Sequence, residues 1–158
     1  MNCIIYLVRS SEKDVEEFNK SLSLLEKNLL KYTSADVLVF VEESFEKYKS
    51  KVETDLELLY QTIEFNLPDY PQEILNNIPE FYPHPTHGNG PVEWGHPGFT
   101  MGYRHMCRMF SGEVYKFPIV QEYEYYIRLD TDSFIHTSLG YDIFKWAEEN
   151  ECWYGYIA

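Results

Sequence analysis

Positive charge is scarce in this sequence. Thirteen Lys and Arg stand against 26 Asp and Glu, a formal net charge of −13. Such a chain repels nucleic acid and anionic membranes at long range, so no nucleic-acid partner is expected. An anionic ligand is held only where a metal ion or a local group of arginines reverses the potential. Cysteine is also scarce. Cys3, Cys107 and Cys152 are odd in number and form no C-x-x-C pair, which argues against a zinc site and a disulfide framework. No apolar run approaches the ~18 residues of a membrane span. The opening MNCIIYLVR has no basic region ahead of its short apolar run, and reads as neither a signal peptide nor a span. Internal repeats, linkers and low-complexity tracts are absent from the sequence.

Aromatic residues are plentiful, at 17% with 14 tyrosines. A buried tyrosine needs a partner for its hydroxyl, so this excess goes with carbohydrate or nucleotide surfaces as well as with aromatic-rich cores. With 158 residues, 44% of them hydrophobic, the chain is long enough for one domain with a true core. Residues 1–158 read as that single domain.

The pattern along the chain is α/β. Cys3–Val8 is a short continuous apolar run, as in a strand buried on both faces of a parallel sheet. Ser11 with Asp14 resembles a capping box. Val15, Phe18, Leu22, Leu25 and Leu29 then recur at helical spacing to about Tyr32. Ala35–Glu43 repeats the buried-strand pattern, which makes a βαβ unit. The spacing of Val52, Leu56 and Leu59 predicts a helix over Glu46–Leu59, and TIEFNLP a short strand ending at Pro68. Pro68–Gly98 is a long segment rich in Pro, Gly, Asn and His. His84, His87 and His96 lie there at a spacing that fits no zinc pattern and read as surface residues.

Gly102–Gly112 reads as a helix with Tyr103, Met106, Cys107 and Phe110 as its apolar stripe. Arg104 and Arg108, at i and i+4, share a face. They are either a solvated basic face paired with acids or an arginine pair aimed at phosphate. A strand, YYIRLDTDSFI, follows, then a helix over Tyr141–Asn150, and CWYGYIA begins another strand.

The strand from Tyr125 ends in Asp130 and Asp132. Residues i and i+2 of a strand point the same way, and ligands of open α/β sheets bind beyond the carboxyl ends of the strands. Two close carboxylates repel unless a cation lies between them. Mg²⁺ and Mn²⁺ take oxygen ligands and share carboxylates with substrate phosphates. The D-x-D spacing therefore points to a metal bridging a diphosphate, with Asp130 and Asp132 as metal ligands and Asp132 also within reach of the donor sugar. A solvated turn is the plainer explanation of such a pair. A D-x-D-S after an apolar strand also occurs in phosphatases that use the first Asp as nucleophile, although there it normally sits on the first strand.

YRHMCRMFSGEVYKFPIVQEYEYYIRLDTDSF and, further on, YDIFKWAEENECWYGY together resemble the fungal α-1,2-mannosyltransferases, glycosyltransferase family 15. Members typically carry a Y-R-H-M-C-R-F-x-S-G helix, a Y-Y-W-R-V-E-P strand, then Y-D-x-F and Y-G-F. LVRSSE, from Leu7, is similar to the family's L-V-R-N-x-E. The resemblance implies a GT-A-like, Rossmann-like nucleotide-sugar-binding domain with a mainly parallel sheet. It implies transfer of mannose from GDP-mannose to a mannosylated glycan or glycoprotein acceptor, with retention, using Mn²⁺ (or Mg²⁺), in the Golgi lumen. Carried over, Arg9 lies near the nucleotide, Asp130 falls on the family's metal-binding Glu, and Tyr103 falls on a tyrosine of the sugar-reacting centre. With Arg104 and Arg108, Arg9 would supply positive potential to GDP-mannose. The family's E-P-x is D-T-D here, its Trp before the Arg is Ile127, and Met109 stands where Phe is usual. The resemblance further implies that the chain is the donor-binding part only, incomplete on its C-terminal side. It would then be inactive alone, a non-catalytic binding module, or completed by a second chain.

Overall fold

The computed structural model describes residues 1–66, 71–76, 81–82 and 99–155. They belong to two compact units, Met1–Glu64 with Glu122–Ala158, and Phe65–Gln121. His84, His87 and His96 lie outside the described residues, as do Tyr156–Ala158.

The first unit is built on a four-stranded, wholly parallel sheet. Its strands are β1 (Asn2–Val8), β2 (Asp36–Val41), β3 (Leu58–Thr62) and, after the second unit, β6 (Tyr125–Leu129), in the order β3-β2-β1-β6. β1 pairs with β2 from Cys3 opposite Asp36 to Val8 opposite Val41, and with β6 from Asn2 opposite Tyr125 to Tyr6 opposite Leu129. The strands read at Cys3–Val8, at Ala35–Glu43 and from Tyr125 thus lie side by side in the sheet. Cys3–Tyr6 and Val37–Val41 are buried, the mark of strands covered on both faces.

Helix α1 (Glu12–Leu25) follows β1, and its last turn widens to π geometry over Glu26–Leu30. Val15, Phe18, Leu22, Leu25 and Leu29 are all buried and pack with Ile4, Tyr6, Val8 and the inward side chains of β2. Ser11 caps the helix by accepting the Asp14 N–H at 3.1 Å, as the sequence predicted. Helix α5 (Ile143–Glu149) starts from an Asp142 cap and places Phe144 in the same core.

Three expectations are corrected. The helix over Glu46–Leu59 is a 3₁₀ helix over Glu43–Lys51, and the strand predicted to end at Pro68 is β3, several residues earlier. The reason is tertiary. Asn19 of α1 donates to the Lys51 carbonyl at 2.9 Å and accepts the Glu53 N–H at 3.0 Å. The backbone groups that would continue the helix are thereby taken. Cys152–Gly155 forms no strand, and Trp153 is 93% exposed.

The second unit holds α2 (Gln72–Leu75), the antiparallel pair β4 (Phe81–Tyr82) and β5 (Phe99–Thr100), α3 (Met101–Arg108) and α4 (Pro118–Gln121). The predicted helix over Gly102–Gly112 holds to Arg108 and then widens to π geometry over Met109–Glu113, with Gly112 off the helical path. That change of pitch alters the apolar stripe. Met109 is buried, whereas Tyr103 is 45% exposed.

Candidate functional site

The strand order locates a crevice. From β1 the chain runs through α1 to β2 and on to β3, always away on one side. β6 joins on the other side of β1. The connections therefore diverge at the β1–β6 pair, a topological switch point, and open α/β sheets bind ligands beyond the carboxyl ends of the strands there. Arg9 directly follows β1, and Asp130 directly follows β6. Arg9, Asp130 and Asp132 are thus gathered at one edge of one sheet.

The two carboxylates sit on a turn rather than in the strand. Ser133 N–H donates to the Asp130 carbonyl at 2.9 Å, and Asp130 N–H donates to Ser133 Oγ at 3.0 Å. Thr131 is buried between them and Asp132 is exposed. The turn is anchored to α1, because Ser21 donates to the Ser133 carbonyl at 2.7 Å. The chain that follows runs on along the same helix. Asn28 donates to the Ile135 carbonyl at 2.6 Å, its own carbonyl accepts Leu139 N–H at 3.1 Å, and Thr33 donates to Asp142 at 2.6 Å.

Arg9 and Asp130 each have an opposite partner. Arg9 Nε donates to Asp14 Oδ1 at 3.0 Å, and Ser11 Oγ donates to the other oxygen of the same carboxylate. Asp130 Oδ1 accepts from Arg128 Nη2 at 2.7 Å and Nε at 3.2 Å. Arg128 is a counter-ion of Asp130 that the sequence reading missed, and the signal was present. It stands two residues before Asp130, so strand periodicity turns both the same way. The charge of Asp130 is therefore offset within the chain.

The donor set suits a hard divalent cation, being carboxylate oxygen. Among the described residues no group of three or more His, Cys, Asp or Glu side chains stands together as a metal site. Asp130 and Asp132 could offer two protein ligands to an ion that keeps waters and phosphate oxygens.

Tyr103, Arg104 and Arg108 belong to the second unit, all on α3. Arg108 Nη2 donates to the Asn66 carbonyl at 2.6 Å, and its Nε forms an ion pair with Glu113 at 3.0 Å. His105 on the same helix stacks on Phe65, with ring centroids 5.2 Å apart.

The family model described as "Glycolipid 2-alpha-mannosyltransferase" matches residues 1–158. This chain belongs to glycosyltransferase family 15. It is similar to the Schizosaccharomyces pombe O-glycoside alpha-1,2-mannosyltransferase omh1, with 30% identity over 156 residues, 96% of this chain and 38% of that protein. The glycolipid 2-alpha-mannosyltransferase of Saccharomyces cerevisiae is 41% identical over 59 residues, 37% of this chain and 13% of that protein. Among solved structures, the mannosyltransferase Ktr4p of S. cerevisiae superposes with a TM-score of 0.66 at 25% identity, over 94% of this chain and 36% of that one. Core-mannan synthase A (CmsA/Ktr4) of Aspergillus fumigatus, in its Mn/GDP form, gives a TM-score of 0.66 at 22% identity, over 95% of this chain and 40% of that one. The chain thus spans about two fifths or less of the length of these relatives. The fold is the α/β, GT-A-like fold of this family.

Proposed function

We propose that this chain binds GDP-mannose and takes part in transferring mannose to a hydroxyl of a mannose-containing glycan, on protein or lipid, with retention of configuration. The observation that carries the reading is the meeting of Arg9 with Asp130 and Asp132 at the β1–β6 switch point. Family membership supports the mannosyl donor, and the GDP complex of Ktr4p supports the nucleotide. The Mn/GDP form of core-mannan synthase A supports the metal. The family's Golgi lumen is the compartment we infer.

As the bond between the anomeric carbon and the diphosphate breaks, negative charge grows on the departing GDP. Arg9, anchored by Asp14, offers that charge the planar fork of a guanidinium. Asp130 and Asp132 would hold Mn²⁺ or Mg²⁺. The bound ion supplies Lewis-acid neutralisation of the same charge. Preorganised charge of this kind is commonly the largest catalytic contribution. The resemblance of Tyr103–Gly112 to the family's helix makes Tyr103, Arg104 and Arg108 of α3 further candidates for contact with the donor.

Calorimetric titration with GDP, with and without Mn²⁺, tests the reading in the wild type and in Asp130→Ala. Metal-dependent binding that the variant loses is expected. Metal-independent binding, unchanged by the substitution, overturns it. A transfer assay with GDP-mannose and α-methyl-mannoside separates turnover from binding alone.

A further inference from the structure

We propose that Tyr6 and Ser21 are positioning residues for the Asp130–Ser133 turn, transmitting the rigidity of the sheet to the two carboxylates; their bearing on the donor rests on the reading above. Both side chains are inside the protein, Tyr6 at 0% and Ser21 at 1% exposure. The Tyr6 hydroxyl lies 2.8 Å from Ser21 Oγ, and Ser21 Oγ lies 2.7 Å from the Ser133 carbonyl oxygen. A carbonyl only accepts, so the single proton of Ser21 is committed to Ser133. Tyr6 is therefore the donor to Ser21. The relay has one direction, from β1 through α1 to the turn. Burial pushes the Tyr6 hydroxyl up to about 12, so it keeps its proton through the neutral range.

Ser133 is held on every polar atom that faces the turn. Its N–H and Oγ bind the carbonyl and N–H of Asp130, and its carbonyl binds Ser21. Tilting Asp130 and Asp132 breaks one of these contacts. Core packing alone does not call for the Tyr6 oxygen. The ring already packs edge-on against Phe18, with centroids 5.0 Å apart, and phenylalanine would do the same. Metal ligation tolerates only about 0.2 Å of error in distance, so a small loosening of this turn reaches the bound ion.

The test compares the 158-residue chain with Tyr6→Phe, Ser21→Ala and Phe18→Leu. Amide hydrogen exchange is read at Asp130 and Ser133, and GDP is titrated with and without Mn²⁺. In Tyr6→Phe and Ser21→Ala, exchange at both amides quickens about three- to tenfold, the loss of one net hydrogen bond. The gain in GDP affinity produced by Mn²⁺ shrinks in the same two variants. Phe18→Leu lowers the melting temperature without quickening those two amides selectively. Unchanged exchange at the turn in Ser21→Ala, or equal quickening in Phe18→Leu, overturns the proposal. If Ser21→Ala does not fold, Tyr6→Phe, which removes one oxygen atom, decides by the same criterion. Wild-type GDP binding that ignores Mn²⁺ defeats the donor-site reading instead, and the exchange rates still decide the relay.

Discussion

Arg9 Nε stands 3.0 Å from Asp14 Oδ1, and the side chains differ sharply in exposure, 75% for the arginine and 7% for the aspartate. A buried carboxylate thus grips one edge of an exposed guanidinium, and Ser11 holds the same carboxylate at the mouth of α1. Arg9→Ala is expected to weaken GDP binding by about 1.5–3 kcal/mol, the range for charge-assisted contacts. Asp14→Ala shifts affinity in the same direction by less and also lowers stability, because it removes the carboxylate that accepts from Ser11 Oγ and Arg9 Nε while leaving the capped backbone N–H. Calorimetry and thermal melts separate the two effects. An Arg9→Ala chain that binds GDP as the wild type does would make the arginine structural.

Asn28 is buried, and its amide reaches the Ile135 carbonyl. Asn28→Ala leaves that carbonyl unsatisfied beneath the segment after the turn. The expected loss is about 1–3 kcal/mol of unfolding free energy, read from denaturant titration. A loss below about 0.5 kcal/mol, the size of an ordinary surface substitution, would mean that water replaces the bond freely.

Asp142 gives the acid limb of stability a local cause. The Thr33 hydroxyl, followed by the N–H groups of Lys145 and Phe144, holds its carboxyl below the ordinary value of 3.8 in spite of partial desolvation. A depressed folded value means that the unfolded state binds the proton first. The contribution is therefore present above the ordinary carboxylate range and lost as pH falls through the folded value. Asp142→Asn lacks it. The stability gap between wild type and this variant should narrow below about pH 4, as melts from pH 3 to 6 will show. A gap independent of pH would contradict the assignment.

Cys3 is wholly inside β1, and burial, with the nearby Asp36 charge, pushes its thiol up to about 12. Cys107 and Cys152 are partly exposed. A thiolate-selective reagent at pH 8 should label those two in the native protein and reach Cys3 only in denaturant. Labelling of Cys3 under native conditions would show β1 opening locally.

What the sequence made legible follows from where local pattern and tertiary demand agree. β1, α1 and β2 were readable because continuous apolar runs and a helical stripe from Val15 to Leu29 have one comfortable arrangement. The Asp130 and Asp132 edge was readable because an apolar run led straight into two charges. The stretch after β2 was not, because a single side chain from another element, Asn19, decides where its helix stops. The stripe of α3 misled at Met109 because the widening after Arg108 changes which side chains turn inward, and it misled at Tyr103, upstream of the widening, which is exposed. Arg128 was overlooked because it was read as part of an apolar strand rather than as a counter-ion two residues upstream.

The order β3-β2-β1-β6 also bears on what the growing chain can pair as it is made. β1, α1, β2 and β3 can assemble from the first sixty or so residues, but β1 then keeps one row of unpaired N–H and C=O groups along its other side. That row is covered only when Tyr125–Leu129 arrives from beyond the whole second unit. Pairings across so long a stretch of chain close slowly, and an open edge is what chaperones and stray strands recognise meanwhile. The nascent β1 is therefore most exposed before the β1–β6 crevice exists, and the step that completes the crevice passes the open edge to the five-residue β6.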